Sequence, residues 1–424
     1  MLSNQKVKWF VCSLLFLAVT ILYMDRQVLS ILAPQLSKDL GWTEMDYGNM
    51  VAAYQFAYAA GVLGAGWLID RIGTRWGFAL VMILLSATMA AHGWAASVAA
   101  FIVARFALGL TQAGCFPCAV KATAEWFPQE ERALATSLFN VGSMVGPILA
   151  PLAILAFYTY SGWLMTCMAL GAVGLAWAII WVKMLVSSAP YGLSKIQPCV
   201  PSEGGKRMPT AHMKCASTKL PIPIWRNRAA WAFFFGKLLS DPVWWFFLFW
   251  LPKFLSDKHH VELTKLGAPL VTIYSIAILG SVGAGWLTQR LALRGFTIRR
   301  SRQITMLLCA LLPIPVLLAA STPHVWIAVL VIGLAVAGHA GWMANLFSLV
   351  ADYFPQRAVA SVTGMGTLAG ALGGIFVAQF AGWILDTTGS YTPLFIFSAS
   401  AYIGAWILVN TLLPRKKTEE LSEA

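Results

Sequence analysis

Apolar residues run through this chain in long uninterrupted blocks, and the polar residues that separate them fall in short segments. Twelve blocks can be drawn, at 7–33, 47–69, 76–96, 98–120, 134–158, 162–185, 229–254, 266–289, 303–320, 325–349, 357–383 and 391–413. A helix needs about 20 mostly apolar residues to cross a bilayer, so each block predicts one membrane-spanning helix. The expected fold is all-α and polytopic, with twelve transmembrane helices in two pseudo-symmetric six-helix bundles. Between the sixth and seventh blocks lies a stretch rich in Pro, Ser, Lys and Arg, with Pro198, Pro201, Gly204, Gly205 and Pro209. It reads as a linker over 186–228, dividing an N-terminal bundle (1–185) from a C-terminal bundle and tail (229–424).

The two halves repeat one another. Gly64-Ala-Gly-Trp-Leu-Ile-Asp-Arg71 at the end of the second block returns as Gly283-Ala-Gly-Trp-Leu-Thr-Gln-Arg290 at the end of the eighth. Ala124-Glu-Trp-Phe-Pro-Gln129 after the fourth block returns as Ala351-Asp-Tyr-Phe-Pro-Gln356 after the tenth. Two matches in register indicate internal duplication, the device by which many transporters build two domains that rock around a midplane site.

Composition agrees: 59% of the 424 residues are hydrophobic and 11% charged, against roughly 25% charged in soluble domains. A net charge of +13 would suggest nucleic acid in a soluble protein. Here the basic residues are sorted by side instead: Lys6 and Lys8, Arg71 and Arg75, Arg132, Lys195 to Arg228, Arg290 to Arg302, Arg357, and Arg415 to Lys417 fall in alternate loops. The positive-inside rule then places both termini and the central loop in the cytoplasm. Lys38, Lys253, Lys258 and Lys265 are the exceptions. The first block runs straight into Asp25-Arg26 with no small-residue cleavage site, so it reads as an uncleaved helix carrying charge at its outer part. Cys115 and Cys118 have CxxC spacing but lie in an apolar helix without nearby His or Asp, which favours packing over metal or redox chemistry. No HExxH, GxSxG or P-loop is present, which argues against an enzyme and a primary pump. The short loop and tail leave little room for the output domain of a sensor.

Gly66-Trp-Leu-Ile-Asp70-Arg71-Ile-Gly73-Thr-Arg75 resembles the major facilitator signature between helices two and three. Gly66 permits close helix approach, and Asp70 can pair with Arg or with helix N-terminal amides. Arg71, Gly73 and Arg75 complete this gating and structural set. More narrowly, Tyr23-Met-Asp25-Arg26-Gln-Val-Leu-Ser-Ile, Ala104-Arg105-Phe-Ala-Leu-Gly, Phe116-Pro117, Glu125-Trp-Phe-Pro-Gln-Glu-Glu-Arg132-Ala, Phe139-Asn140-Val-Gly-Ser143 and Lys237-Leu-Leu-Ser-Asp241-Pro242-Val-Trp-Trp resemble the anion:cation symporter family, and within it the hexuronate transporters. The resemblance implies proton-coupled uptake of a small sugar acid by alternating access, with no cofactor beyond a coupling ion, H+.

Charged side chains are costly in the bilayer, so those that persist face a cavity or a partner. Arg26 offers a planar two-pronged donor for a carboxylate, the role the family resemblance also implies for it. Asp25, a partly desolvated carboxylate near an arginine, is the leading proton carrier; Asp241 is a second. Arg105 and Gln112 are seven residues apart, so they share one helix face. The resemblance implies a glutamate at position 112; the amide cannot ionise, which leaves either Asp25 as the sole proton carrier or an uncoupled carrier. Lys237 and Asp241, four apart, can pair with each other or contact substrate. Pro242 interrupts the local backbone ladder, and such breaks often border a binding cavity. Tyr23, Tyr54 and Tyr58 supply aromatic faces and hydroxyls; Asn140, Ser143, Asn345, Ser348 and Thr367 are hydroxyl contacts or helix–helix glue. His339 can titrate or simply face a neighbouring helix, and Trp244 and Trp245 read as packing or interface anchors.

The expected partners are a small organic anion and the lipid bilayer, with no nucleic acid, in a monomer of the bacterial inner membrane. An aromatic acid or a dicarboxylate, for which Arg105 and Lys237 would hold the second carboxylate, is the alternative substrate.

Overall fold

The computed structural model describes residues 4–127, 129–187, 226–354 and 356–413. Among these, every regular element is helical: α1 (Asn4–Leu40), α2 (Glu44–Ala91), α3 (Val98–Gln112), α4 (Cys115–Trp126), α5 (Gln129–Ser187), α6 (Arg228–His259), α7 (Gly267–Leu293), α8 (Ile298–Leu311), α9 (Val325–Tyr353), α10 (Gln356–Thr388) and α11 (Thr392–Leu412). The linker proper lies outside what is described, as do the side chains of Asp70 and Arg132 and the surroundings of Gly66.

Two of these helices are too long to be single crossings. At about 1.5 Å per residue the 48 residues of α2 would extend more than twice the thickness of a hydrocarbon core of about 30 Å. The chain instead turns at Gly73 (φ 79°, ψ 162°), and α5 turns in the same way at Gly162 (φ 72°, ψ −175°). That corner of backbone space is essentially reserved for glycine. Ten helices among the described residues are long and apolar enough to cross a membrane. One of them, covering 135–184, holds two crossings, and the first arm of α2 adds another, which brings the spans to the expected twelve.

Other boundaries depart from the block pattern. The fourth span is two helices, α3 and α4, separated at Ala113–Gly114, and the ninth is α8 followed by a 3-10 segment, Ile314–Ala320. Pro117 lies just beyond the first of these breaks and Pro313 within the second, where a missing N–H and a fixed φ weaken the preceding turn. Pro242 behaves otherwise: α6 runs through it unbroken. The Leu238 carbonyl that Pro242 cannot engage lies against Gly373 of α10, where a Cβ would come within 2.9 Å of it. The first helix runs on to Leu40, so Asp25 and Arg26 sit near its middle and not at its outer part.

The sequence repeat is also a structural one. Phe127 after α4 and Phe354 after α9 both cap their helix in extended conformation (φ −116°, ψ 136° and φ −123°, ψ 142°), as a residue preceding proline must. Within the N-terminal bundle α1 packs on α5, and α2 on α3 and α5; within the C-terminal bundle α7 packs on α9, and α6 on α10 and α11. The bundles meet through α2 with α10, α5 with α7, and α1 with α6. The first two of these contacts exchange under the duplication, since the first arm of α2 corresponds to α7 and the first arm of α5 to α10.

Gly162→Ala is expected to destabilise the fold by about 1–3 kcal/mol, because the turn holds a φ that a Cβ disfavours. Gly283→Ala, a helical position with open space around it, is the control, and a thermal melt of the detergent-solubilised protein reads the difference.

Candidate functional site

Asp25, Arg26 and Gln27 occupy successive directions around α1, and all are buried. Adjacent helical residues point about 100° apart, so Arg26 does not fold onto Asp25. Its guanidinium turns to α3, where Nε and Nη2 each lie 3.4 Å from the Gln112 side-chain oxygen. The Tyr54 hydroxyl donates to that same oxygen at 2.6 Å, and the Gln112 amide donates to the Leu22 carbonyl at 3.3 Å. Four aromatic rings surround Arg26 Cζ: Tyr23 at 4.6 Å, Tyr58 at 5.2 Å, Trp245 at 5.2 Å and Tyr54 at 5.5 Å from their centroids. Rings at such distances attract a cation through their negative faces. Three of them belong to the N-terminal bundle and Trp245 to α6, so the arginine lies where the bundles meet.

Arg105, two turns before Gln112, is likewise fully buried and donates from Nη1 to the Arg26 carbonyl at 3.4 Å. Its Nε and Nη2 have no hydrogen-bond partner, nor has either oxygen of the Asp25 carboxylate, with which Arg105 interacts electrostatically. Asp25, and not position 112, thus places a carboxyl group in the surroundings of Arg105.

The matching pair in the C-terminal bundle is closed. Lys237 Nζ is 2.8 Å from Asp241, one turn along α6, and stands over the Phe347 ring at 5.0 Å. A Cβ on Gly370 of α10 would land on the Asp241 carboxylate, and one on Gly366 would meet Phe233 and the Lys237 stem. The glycines of α10 therefore make room for a charged pair. Nearby, His339 stacks on Trp244 (5.1 Å, 9°) and shares a 2.6 Å hydrogen bond with the Tyr402 hydroxyl.

The remaining polar candidates are placed elsewhere. Asn345 accepts from Thr288 and donates to the Gly341 carbonyl, and Thr288 also bonds Thr305, a network that ties α7, α8 and α9 together. Thr367 and Ser348 return their hydroxyls to their own helix at Thr363 and Ala344. Ser143 bonds the Asn140 carbonyl, and Asn140 is exposed. Gly73 forms the turn; Arg75 caps Trp76 at 5.2 Å and its carbonyl accepts from Trp181, while Arg71 is exposed. Cys115 and Cys118 are buried free thiols.

One feature escaped the sequence reading. At the face away from both chain ends the bundles are latched. Lys253 of α6 pairs with Glu44 at the head of α2 (2.8 Å) and with Asp257 (3.5 Å), which accepts from the Tyr391 hydroxyl. Asp386 at the end of α10 accepts from the Glu44 and Met45 amides, both at 2.8 Å, a carboxylate on a helix N-terminus. Tyr47 donates to the Phe249 carbonyl, and Gln379 to Asn49. Lys253, an exception to the charge asymmetry, was the available signal. At the opposite face the ion pairs Lys8–Glu131 and Arg302–Asp352 stay within one bundle. Tyr23 and Tyr58, the rings of the arginine cage that lie toward that face, are partly exposed, whereas Tyr54 is fully buried. The cluster is therefore closed on the latched side and approached from the other.

The match to family models decides the identity of this architecture: residues 15–378 fit the Major Facilitator Superfamily. The chain belongs to that superfamily of membrane transporters. It is 26% identical to the hexuronate transporter of Escherichia coli (strain K12), over 98% of this chain and 96% of the relative. It is 27% identical to the D-galactonate transporter of Escherichia coli O6:H1, over 92% of each. It is 29% identical to the galacturonate transporter of Dickeya chrysanthemi, over 68% of this chain and 83% of that one. Among solved structures, a bacterial homolog of the human lysosomal transporter Spinster, inward-facing and occupied, superposes with TM-score 0.71 at 16% identity, covering 95% of this chain and 94% of that one. This last likeness concerns the fold alone.

The latch carries a pH dependence. Burial raises the Glu44 carboxyl above its ordinary 4.5, and Lys253 opposes that rise without overcoming it. Glu44 thus binds a proton more readily in the latched state than after the face opens to water, so proton uptake favours latching. This bias is complete below about 4.5 and is lost as pH rises through the raised value. Spin labels at Lys38→Cys and Thr387→Cys should show the short-distance population growing as the pH falls toward about 4.5, with Glu44→Gln flattening the response; a population that shrinks on acidification contradicts it.

Proposed function

We propose that this facilitator takes up a hydroxylated organic monocarboxylate, a hexuronate or a related sugar acid, together with protons. The observation that carries the reading is the state of Arg26. It is a buried cation whose contacts, the Gln112 oxygen and four aromatic rings, are all neutral, and a buried charge is stabilised fully only by an opposite one. A substrate carboxylate held between Tyr23 and Tyr58 supplies it, and shorter charge-assisted bonds to the carboxylate replace the 3.4 Å contacts to Gln112. The relatives named for hexuronate, galactonate and galacturonate transport point to the same chemistry. Lys237 already has its counter-charge in Asp241, which favours one carboxylate on the substrate over two.

Coupling falls to Asp25. Gln112 holds no titratable proton, and Asp241 is engaged by Lys237, whereas the Asp25 oxygens are buried without hydrogen-bond partners beside Arg105. Substrate at Arg26 changes the field at the neighbouring carboxyl, and a proton bound there travels with the anion. Differential affinity of the latched and unlatched states for anion and proton then drives alternating access. In the cell the chain would sit as a monomer in the inner membrane with both termini cytoplasmic, the latched face outward.

Proteoliposomes loaded by an inward proton gradient test both parts. Glucuronate or galacturonate should accumulate, and Arg26→Gln should lower uptake by about a hundredfold or more, the scale of a lost charge-assisted carboxylate bond of about 3 kcal/mol. Unchanged uptake in Arg26→Gln removes the site. Asp25→Asn should retain exchange of anion down its gradient and lose accumulation; accumulation that persists moves the proton elsewhere.

A further inference from the structure

The carboxylate site leaves a set of buried polar groups unexplained. Gln27 and Gln55 are fully buried; neither the oxygen nor the nitrogen of the Gln55 amide has a hydrogen-bond partner, nor has the Trp245 indole N–H, and the Gln27 amide and the Tyr274 hydroxyl interact only with each other, short of good hydrogen-bond geometry. Each such group left without a partner costs about as much as a hydrogen bond contributes or more, and buried polar groups in native proteins are otherwise nearly always paired. Such groups on both sides of the seam between the bundles are a pattern that a ligand resolves.

They fall in two pairs. Gln27 adjoins Arg26 in sequence and faces Tyr274 of α7. Gln55 lies against Trp245 over Gly374 of α10: a Cβ on that glycine would come within 2.6 Å of the Gln55 amide nitrogen and 2.9 Å of Trp245 Cδ1, the atom next to the indole N–H. Trp245 is itself one wall of the Arg26 cage. Each pair joins one residue of the N-terminal bundle to one of the C-terminal bundle. The absence of a side chain at position 374 is what admits both polar groups.

Resting on the carboxylate reading of Arg26, we propose that Gln27, Gln55, Trp245 and Tyr274 form the hydroxyl-recognition half of the site and set its preference for polyhydroxylated over plain carboxylates. Two amides, each both donor and acceptor, an indole donor and a phenol match the alternating donor and acceptor needs of a sugar's hydroxyl groups. Because the groups come from both bundles, a hydroxylated substrate also ties the bundles together. A site that satisfies buried polar groups with substrate hydroxyls rejects analogues that lack them far more strongly than an apolar pocket could.

The test compares calorimetric affinities of the purified full chain for D-glucuronate and for hexanoate, a chain of equal carbon number without hydroxyls. The ratio of the two affinities should fall about tenfold or more in Gln55→Leu and in Tyr274→Phe. Tyr274→Phe removes one hydroxyl and keeps the ring, so it carries the test where the Gln55 variant does not assemble. A purely structural role weakens both acids alike and leaves the ratio unchanged; that result overturns the proposal. Wild-type protein that binds neither glucuronate nor galacturonate overturns the carboxylate reading instead, and the inference falls with it.

Discussion

Removing a charge from water is the costliest thing this chain does, and the arrangement of its two bundles follows from how each such charge is answered. In the C-terminal bundle the answer is internal: Lys237 and Asp241 neutralise one another along one turn of α6, in space left by Gly366 and Gly370. In the N-terminal bundle it is incomplete. Arg105 has Asp25 nearby and holds the Arg26 carbonyl, but Arg26 itself has only neutral company. The asymmetry between two duplicated halves gives the site its polarity: one half is electrostatically settled, the other awaits an anion.

Backbone proximity makes the interface between halves possible. A Cβ at Gly48 would meet the Ala378 carbonyl at 2.7 Å, and one at Gly382 the Glu44 carbonyl at 2.9 Å, so α2 and α10 approach with almost no side chain between them. The latch of Glu44, Lys253, Asp257 and Asp386 stands at the end of that contact, and the arginine cage lies about three turns further in. Two states that differ in whether this seam is joined are thereby linked to a site whose walls, Tyr54 and Trp245, belong to opposite sides of it. Binding that bridges the seam and protonation that favours the latch act on the same equilibrium.

Much of this was legible in the sequence because it depends on local rules. Block lengths predicted the spans, and the two repeated segments predicted the duplication that the capping conformations of Phe127 and Phe354 display. The seven-residue spacing of Arg105 and Gln112 correctly placed them in one environment. What was missed is non-local. Gln27, Gln55 and Tyr274 are unremarkable within their own helices and gain meaning only across the seam; Glu44 and Lys253 are about two hundred residues apart. Asn345, Thr367 and Ser143 were attractive as polar residues in apolar blocks, yet a hydroxyl or amide in a helix has a ready partner in a backbone carbonyl of the preceding turn, and theirs are so engaged.

The most direct measurement is an experimental structure of the full chain with glucuronate bound. The account predicts the carboxylate within hydrogen-bond distance of the Arg26 guanidinium, between the rings of Tyr23 and Tyr58, with Arg26 drawn away from Gln112. A carboxylate on Lys237, with the Lys237–Asp241 pair opened and Arg26 still resting on Gln112, would contradict it.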